Sequence, residues 1–155
     1  MGVLMKIIFS LFLFISFLYS NQYTFLVKKY DKEIELEAKI IDTIAVSVVR
    51  KDIKLYIPEI TELEENVYSE IFQLTKTCNT ANFIFVKKNI NDENLCPNSQ
   101  KIYFTNNYQK LLVDKKYIGA FFWSKSRPNI VFIKDRLDQR NIILPKEYNQ
   151  FVEDL

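Results

Sequence analysis

The chain has 155 residues, 48% hydrophobic, 15% aromatic and 26% charged, with 21 Lys and Arg against 19 Asp and Glu and no histidine. This composition suits one compact domain and excludes a disordered tail, a collagen-like fibre or a polytopic membrane protein. The absent histidine removes His-dependent triads and His-rich metal sites, and a formal charge of +2 lacks the basic stripe of a nucleic-acid-binding domain.

Residues 1–20 hold one cation, Lys6, then a thirteen-residue apolar run from Ile7 to Tyr19 broken only by Ser10 and Ser16, and end at Ser20. That is the pattern of a secretory signal peptide, and the run is shorter than the ~20 residues a membrane-spanning helix needs. The expectation is cleavage after Ser20 and export to the periplasm, with an uncleaved N-terminal anchor as the alternative. Residues 21–155 then form one domain with 20 basic and 19 acidic residues. Gly119 is its single glycine. Gly-rich phosphate loops are therefore excluded, and nucleotide binding with them.

After an irregular lead-in, Ile34, Ala38, Ile41, Ala45 and Val48 recur at helical spacing and predict a helix from Lys32 to Val49. The alternation Ile53, Leu55, Ile57 before Pro58 predicts a strand. Thr61 and Glu64 form a capping-box pattern that heads a second helix, with Leu63, Val67, Ile71 and Leu74 as its apolar stripe. Phe83-Ile84-Phe85-Val86 reads as a strand covered on both faces, and Ile102 to Thr105 as another. Between them runs a polar loop, Lys87 to Gln100. Asn106-Asn107 opens a short helix through Leu111, Leu112 and Val113. Tyr117 to Trp123 and Asn129 to Ile133 form a hairpin around a turn at residues 124–128. Asp135 to Arg140 suggests a helical turn, Ile142 to Leu144 a short strand or buried link, and Lys146 to Asp154 a final helix. This order is that of an α/β fold: a single small domain with a mixed, mostly parallel sheet flanked by helices and a β-hairpin in its C-terminal half.

Cys78 and Cys96 both lie in the mature region, and in an exported chain they are expected to form a disulfide. A redox-active or metal-binding pair is the competing reading, but the spacing is not C-x-x-C and no further ligand is near in sequence. The most conspicuous surface candidates are Phe121, Trp123, Lys125 and Arg127, an aromatic and cationic group on the hairpin of a kind that anchors a protein partner or an anionic ligand. Core packing is the competing reading for each aromatic. The alternating charges Lys134, Asp135, Arg136, Asp138 and Arg140 read as a solvated helix face. No carboxylate pair or hydroxyl sits in a catalytic pattern, so no catalytic residue, metal site or cofactor is expected and the chain reads as a non-enzyme.

From Cys78 onward, the run Cys78, Phe83 to Val86, Lys101 to Thr105, Ile118 to Phe122, Arg127 to Ile133 and Ile142-x-Leu144 before a final amphipathic helix resembles the YfiR-like family of small periplasmic α/β proteins. The helix from Lys32 to Val49 before the Ile53 strand is similar too. The chain departs from the family at Val48 to Lys51, where an aromatic and proline are usual, at Gly119, where a glycine pair is usual, and at Leu144-Pro145-Lys146. The resemblance implies a stoichiometric regulator that binds the periplasmic domain of an inner-membrane signalling protein, a diguanylate cyclase or sensor kinase, and restrains it. The second expectation, from the α/β order alone, is a small periplasmic solute-binding module.

Overall fold

A computed structural model of the chain describes residues 32–96, 100–125 and 127–155. The expected signal peptide, residues 1–20, and the lead-in that follows it lie outside the described residues. Two compact units divide the chain, residues 1–37 and 38–155; of the first, residues 32–37 are described and are helical. Helix α1 covers residues 32–48. In the second unit its buried side chains are Ala38, Ile41, Ile44, Ala45 and Val48, one apolar stripe at helical spacing.

The other elements follow as β1 (Lys54–Tyr56), α2 (Glu62–Ser69), β2 (Gln73–Leu74), a 3₁₀ turn (Cys78–Thr80), β3 (Phe83–Val86), β4 (Ile102–Thr105), α3 (Tyr108–Val113), β5 (Tyr117–Ser124), β6 (Arg127–Ile133), α4 (Lys134–Asp138), a second 3₁₀ segment (Lys146–Phe151) and β7 (Val152–Glu153). The strands form one sheet in the order β2-β1-β3-β4-β5-β6-β7. Every neighbouring pair is parallel except β5 and β6, which form the antiparallel hairpin. The fold is thus α/β, as the order of elements predicts.

Both faces of the sheet are covered, because residues of opposite parity along the strands are buried alike. On one face Ile84, Val86, Tyr103, Tyr117, Ala120, Val131 and Ile133 form a cluster with Leu111 of α3 and Cys96. On the other, aromatic rings follow one another across the sheet: Phe83 and Phe104 are 6.2 Å apart, Phe104 and Phe132 5.8 Å, Phe132 and Tyr148 5.8 Å, Tyr148 and Phe151 6.2 Å. β5 lies between Phe104 and Phe132, and Gly119 is its residue in register with both. A Cβ at Gly119 would meet the Val131 carbonyl oxygen at 2.5 Å and the Phe104 ring at 2.6 Å. The glycine is needed here for close approach. Beside it, Tyr103 pairs with Tyr117 and Phe104 with Gly119, so Ile118 is an extra residue that shifts the register.

The capping box forms as expected: Glu64 N–H donates to Thr61 Oγ1 (3.4 Å) and Thr61 N–H to Glu64 Oε2 (3.0 Å). The helix it starts is shorter than predicted. It ends at Ser69, its fully buried residue is Tyr68, and Leu74 lies in β2. Edge pairing with β1, including Thr75 N–H to the Leu55 carbonyl (2.8 Å), overrides helix periodicity there. The hairpin turn is tighter than expected, since Ser124 pairs with Arg127 and leaves only residues 125–126 between the strands.

Ile142 to Leu144 is no strand, and Ile143 is 79% exposed. Asn141 takes a left-handed conformation (φ 54°), with Ile142 N–H bonded to the Leu137 carbonyl and Asn141 N–H to that of Asp138. These are the two bonds of a Schellman cap, which turns the chain away after α4. The predicted final α-helix is 3₁₀ from Lys146 to Phe151, and the free side of β6 takes up Val152 and Glu153 as β7.

The charged segment from Lys134 is only partly a solvated face. Arg136 is 9% exposed and donates to the carbonyls of Leu111, Asp114 and Tyr117 at 2.8, 3.1 and 2.7 Å, closing the C-terminus of α3 onto β5. Arg140 donates to the carbonyls of Lys101 (3.0 Å) and Lys116 (3.2 Å). Substituting Gly119→Ala places a methyl group against backbone as well as a ring, so it should cost about 3 kcal/mol of stability, read as a lowered urea midpoint. An Ala120→Gly control at a buried neighbour should cost about 1 kcal/mol.

Candidate functional site

Two braces hold the polar loop after β3. Cys78 and Cys96 are joined as a disulfide, with Cα atoms 5.9 Å apart, so the loop end is tied to the 3₁₀ turn before β3. Such a cross-link constrains the unfolded chain by about 3 kcal/mol. A disulfide is the bond of oxidising compartments. Lys101 Nζ, just before β4, donates to the carbonyls of Asn79 (2.8 Å) and Ala81 (2.7 Å), pinning the same turn.

The second brace is Asp92, 8% exposed. Its carboxylate receives Lys110 Nζ at 2.6 Å, Lys116 Nζ at 2.5 Å and the Tyr117 hydroxyl. Lys116 Nζ also lies 5.8 Å from the Tyr103 ring centre and 5.3 Å from that of Tyr117, and these two rings meet edge to face. Burial works to raise the Asp92 carboxyl, but the hydrogen bonds from Lys110, Lys116 and Tyr117 outweigh it and lower it from 3.8 to about 2. Burial and the Asp92 bond push the Tyr117 phenol well above its ordinary value. Every group in this cluster is satisfied by another, so it is a structural clamp. Sequence reading missed it because its members are separated by 18 to 25 residues and belong to a loop, a helix end and a strand.

The candidate interaction surface is the outer half of the hairpin. β4 pairs with β5 only through Ala120, and β7 pairs with β6 only at Phe132 and Ile133. Among the described residues, four rungs therefore have no third strand beside them: Phe121 with Ile130, Phe122 with Asn129, Trp123 with Pro128, and Ser124 with Arg127. The inner two rungs are buried or half-buried against the body, so the exposed end of this two-stranded arm is the Trp123–Pro128 and Ser124–Arg127 rungs, about 7 Å at ~3.3 Å per residue. Its root is anchored by Phe121, which is fully buried, and by Phe122, whose ring lies 5.1 Å from that of Tyr108. Trp123 is 47% exposed and leans edge-on against Phe121 at 5.7 Å. Lys125 (φ 50°) and Arg127 are exposed at the tip. Of the four residues singled out from the sequence, Trp123, Lys125 and Arg127 are exposed at the outer end of the hairpin, whereas Phe121 is fully buried and so is part of the core and not of the surface.

Elsewhere, Lys87 after β3 forms an ion pair with Glu64 of α2, and burial, which alone would raise the Glu64 carboxyl, is outweighed by hydrogen bonds from Lys87 and Thr61 that lower it. A groove of about 720 Å³ is walled by Val46, Ile130, Ile143, Leu144, Pro145 and Phe151 among others. Among the described residues no group of three or more Cys, Asp or Glu could hold a metal ion, and no helix is long and apolar enough to cross a membrane.

No protein-family profile, curated protein or solved structure matches this chain.

Because the carboxyl of Asp92 is lower in the folded than in the unfolded state, its contribution is present above about pH 4 and is lost as pH falls toward 2. Asp92→Asn should therefore destabilise the protein by about 2 kcal/mol at pH 6 in urea unfolding, and the gap from the parent protein should close as the pH approaches 2.

Proposed function

We propose that this chain acts by binding: it is an exported periplasmic protein that restrains an inner-membrane signalling protein, a diguanylate cyclase or sensor kinase, by stoichiometric association. The observation that carries this reading is the projecting arm, which places a half-exposed indole and two cations at the end of a ribbon rooted in the core. Aromatic and arginine side chains are the ones that most often dominate association energies. The disulfide and the order of strands and helices accord with the YfiR-like resemblance. The arm is the element that meets the membrane-embedded assembly.

The solute-binding reading draws support from the groove beside Ile143. Its wall sets Thr43, Ser47, Arg50, Glu147 and Tyr148 beside the apolar residues, but Val46 and Ile143 are 62% and 79% exposed, so the groove lies open to solvent, whereas ligand sites enclose most of the ligand's surface. Binding through the arm is therefore the better-supported function.

Deleting the gene should raise cyclic-di-GMP or the output of the paired kinase, and the parent gene should restore the level. A Trp123→Ala/Arg127→Glu gene should fail to restore it while its product accumulates normally with the disulfide intact. An unchanged signalling output on deletion would count decisively against the regulator.

A further inference from the structure

The arm lies in a stretch that carries cations and no acid. Between Asp114 and Asp135 there is no acid, while Lys115, Lys116, Lys125, Arg127 and Lys134 are all cations. Lys116 is engaged by Asp92 and Asp114, and Lys134 by Asp154. Among the described residues Lys125 and Arg127 have no ion-pair partner. They flank the tip of a ribbon whose most exposed large apolar side chain is Trp123.

The shape of this tip favours one kind of partner. A standard protein interface buries about 800 Å² on each side, so the tip supplies only part of the contact a protein partner requires and is left able to meet a second surface. A lipid surface needs no matching area. It accommodates an indole at the boundary between headgroup and acyl chain, where the ring is apolar on its faces and its N–H stays wet. Anionic headgroups attract each nearby Lys or Arg.

We infer that the tip of the β5–β6 arm engages the anionic headgroup layer of a membrane, with Trp123 in the interface and Lys125 and Arg127 on lipid phosphates. The inference rests on the function proposed above only in placing the protein beside a membrane. Contact through one indole and two cations is weak and reversible, and it concentrates the protein in the plane where a membrane-bound partner is found.

Trp123 is the single tryptophan of the chain and reports on its own surroundings. The experiment uses the processed protein recovered from the extracytoplasmic fraction of its host. With vesicles containing roughly one-third phosphatidylglycerol, Trp123 emission should shift to the blue and iodide quenching should fall, while pure phosphatidylcholine vesicles leave both unchanged. Lys125→Ala/Arg127→Ala should weaken vesicle binding about thirtyfold, the sum of two cations at ~1 kcal/mol each. Salt at about 0.5 M should act in the same direction.

An equal shift on neutral vesicles, no shift on either, or co-sedimentation with anionic vesicles while Trp123 stays open to iodide would each overturn the inference. A shift with polyglutamate but not with anionic vesicles would reassign the tip to an acidic protein surface. Circular dichroism of the double variant verifies that its fold is kept. Vesicle binding without any signalling effect of gene deletion would retain the lipid contact and remove the regulator; a signalling effect without vesicle binding would do the reverse.

Discussion

The sheet depends on the close approach of three strands at Gly119. Phe104 on one side and Phe132 on the other turn their rings toward the same strip of β5, and the space between them exists because that residue has no side chain. The gap lets a run of aromatic contacts continue from Phe83 through Phe104 and Phe132 to Tyr148 and Phe151. The parallel half of the sheet is thereby coupled to the antiparallel half and to the C-terminal 3₁₀ segment. A chain so poor in glycine spends one at the point where backbone, rather than side chain, sets the spacing.

The ends of the elements solve a different problem with charge. Long loops and helix ends leave carbonyls that need donors, and this chain supplies them from cations. Arg136 serves three carbonyls at the end of α3, Arg140 serves two more, and Lys101 holds the turn that contains Cys78. Lys110 and Lys116 gather on Asp92. A near-zero net charge therefore conceals a strong division of labour. Many of the cations are internal fasteners, and the pair at the arm tip stands apart from them.

Much of the fold was legible in the sequence because its signals are local. The four-residue run Phe83 to Val86 is buried throughout, the Thr61–Glu64 box caps its helix, and Asn107 caps α3 through bonds to Gln109 and Lys110. The failures come where tertiary pairing decides. Leu74 fits a helical stripe but is drawn into an edge strand by β1, and Ile142 to Leu144 read as a strand or buried link until the left-handed Asn141 turns the chain away, leaving Ile143 exposed and its two neighbours half-buried. Arg136 and Arg140 looked solvated because sign alternation says nothing about carbonyls 19 to 39 residues away. At the candidate site the residue types were visible on the hairpin. Core packing was the competing reading for each aromatic, and Phe121 takes it while Trp123 stays half-exposed, a division set by where β4 and β7 stop pairing.

The two ends of the sheet are strands of two residues each, Gln73–Leu74 and Val152–Glu153. An unfamiliar strand approaching either end finds almost no ladder to extend, which is a protein's ordinary defence against edge-to-edge aggregation. The arm is where longer stretches of unpaired backbone remain, on the outer sides of residues 121–124 and 127–130. Pro128 interrupts one of them by carrying no N–H, and the tip cations repel a second copy. The cations that draw the arm toward an anionic surface thus also keep it from adding to its own kind.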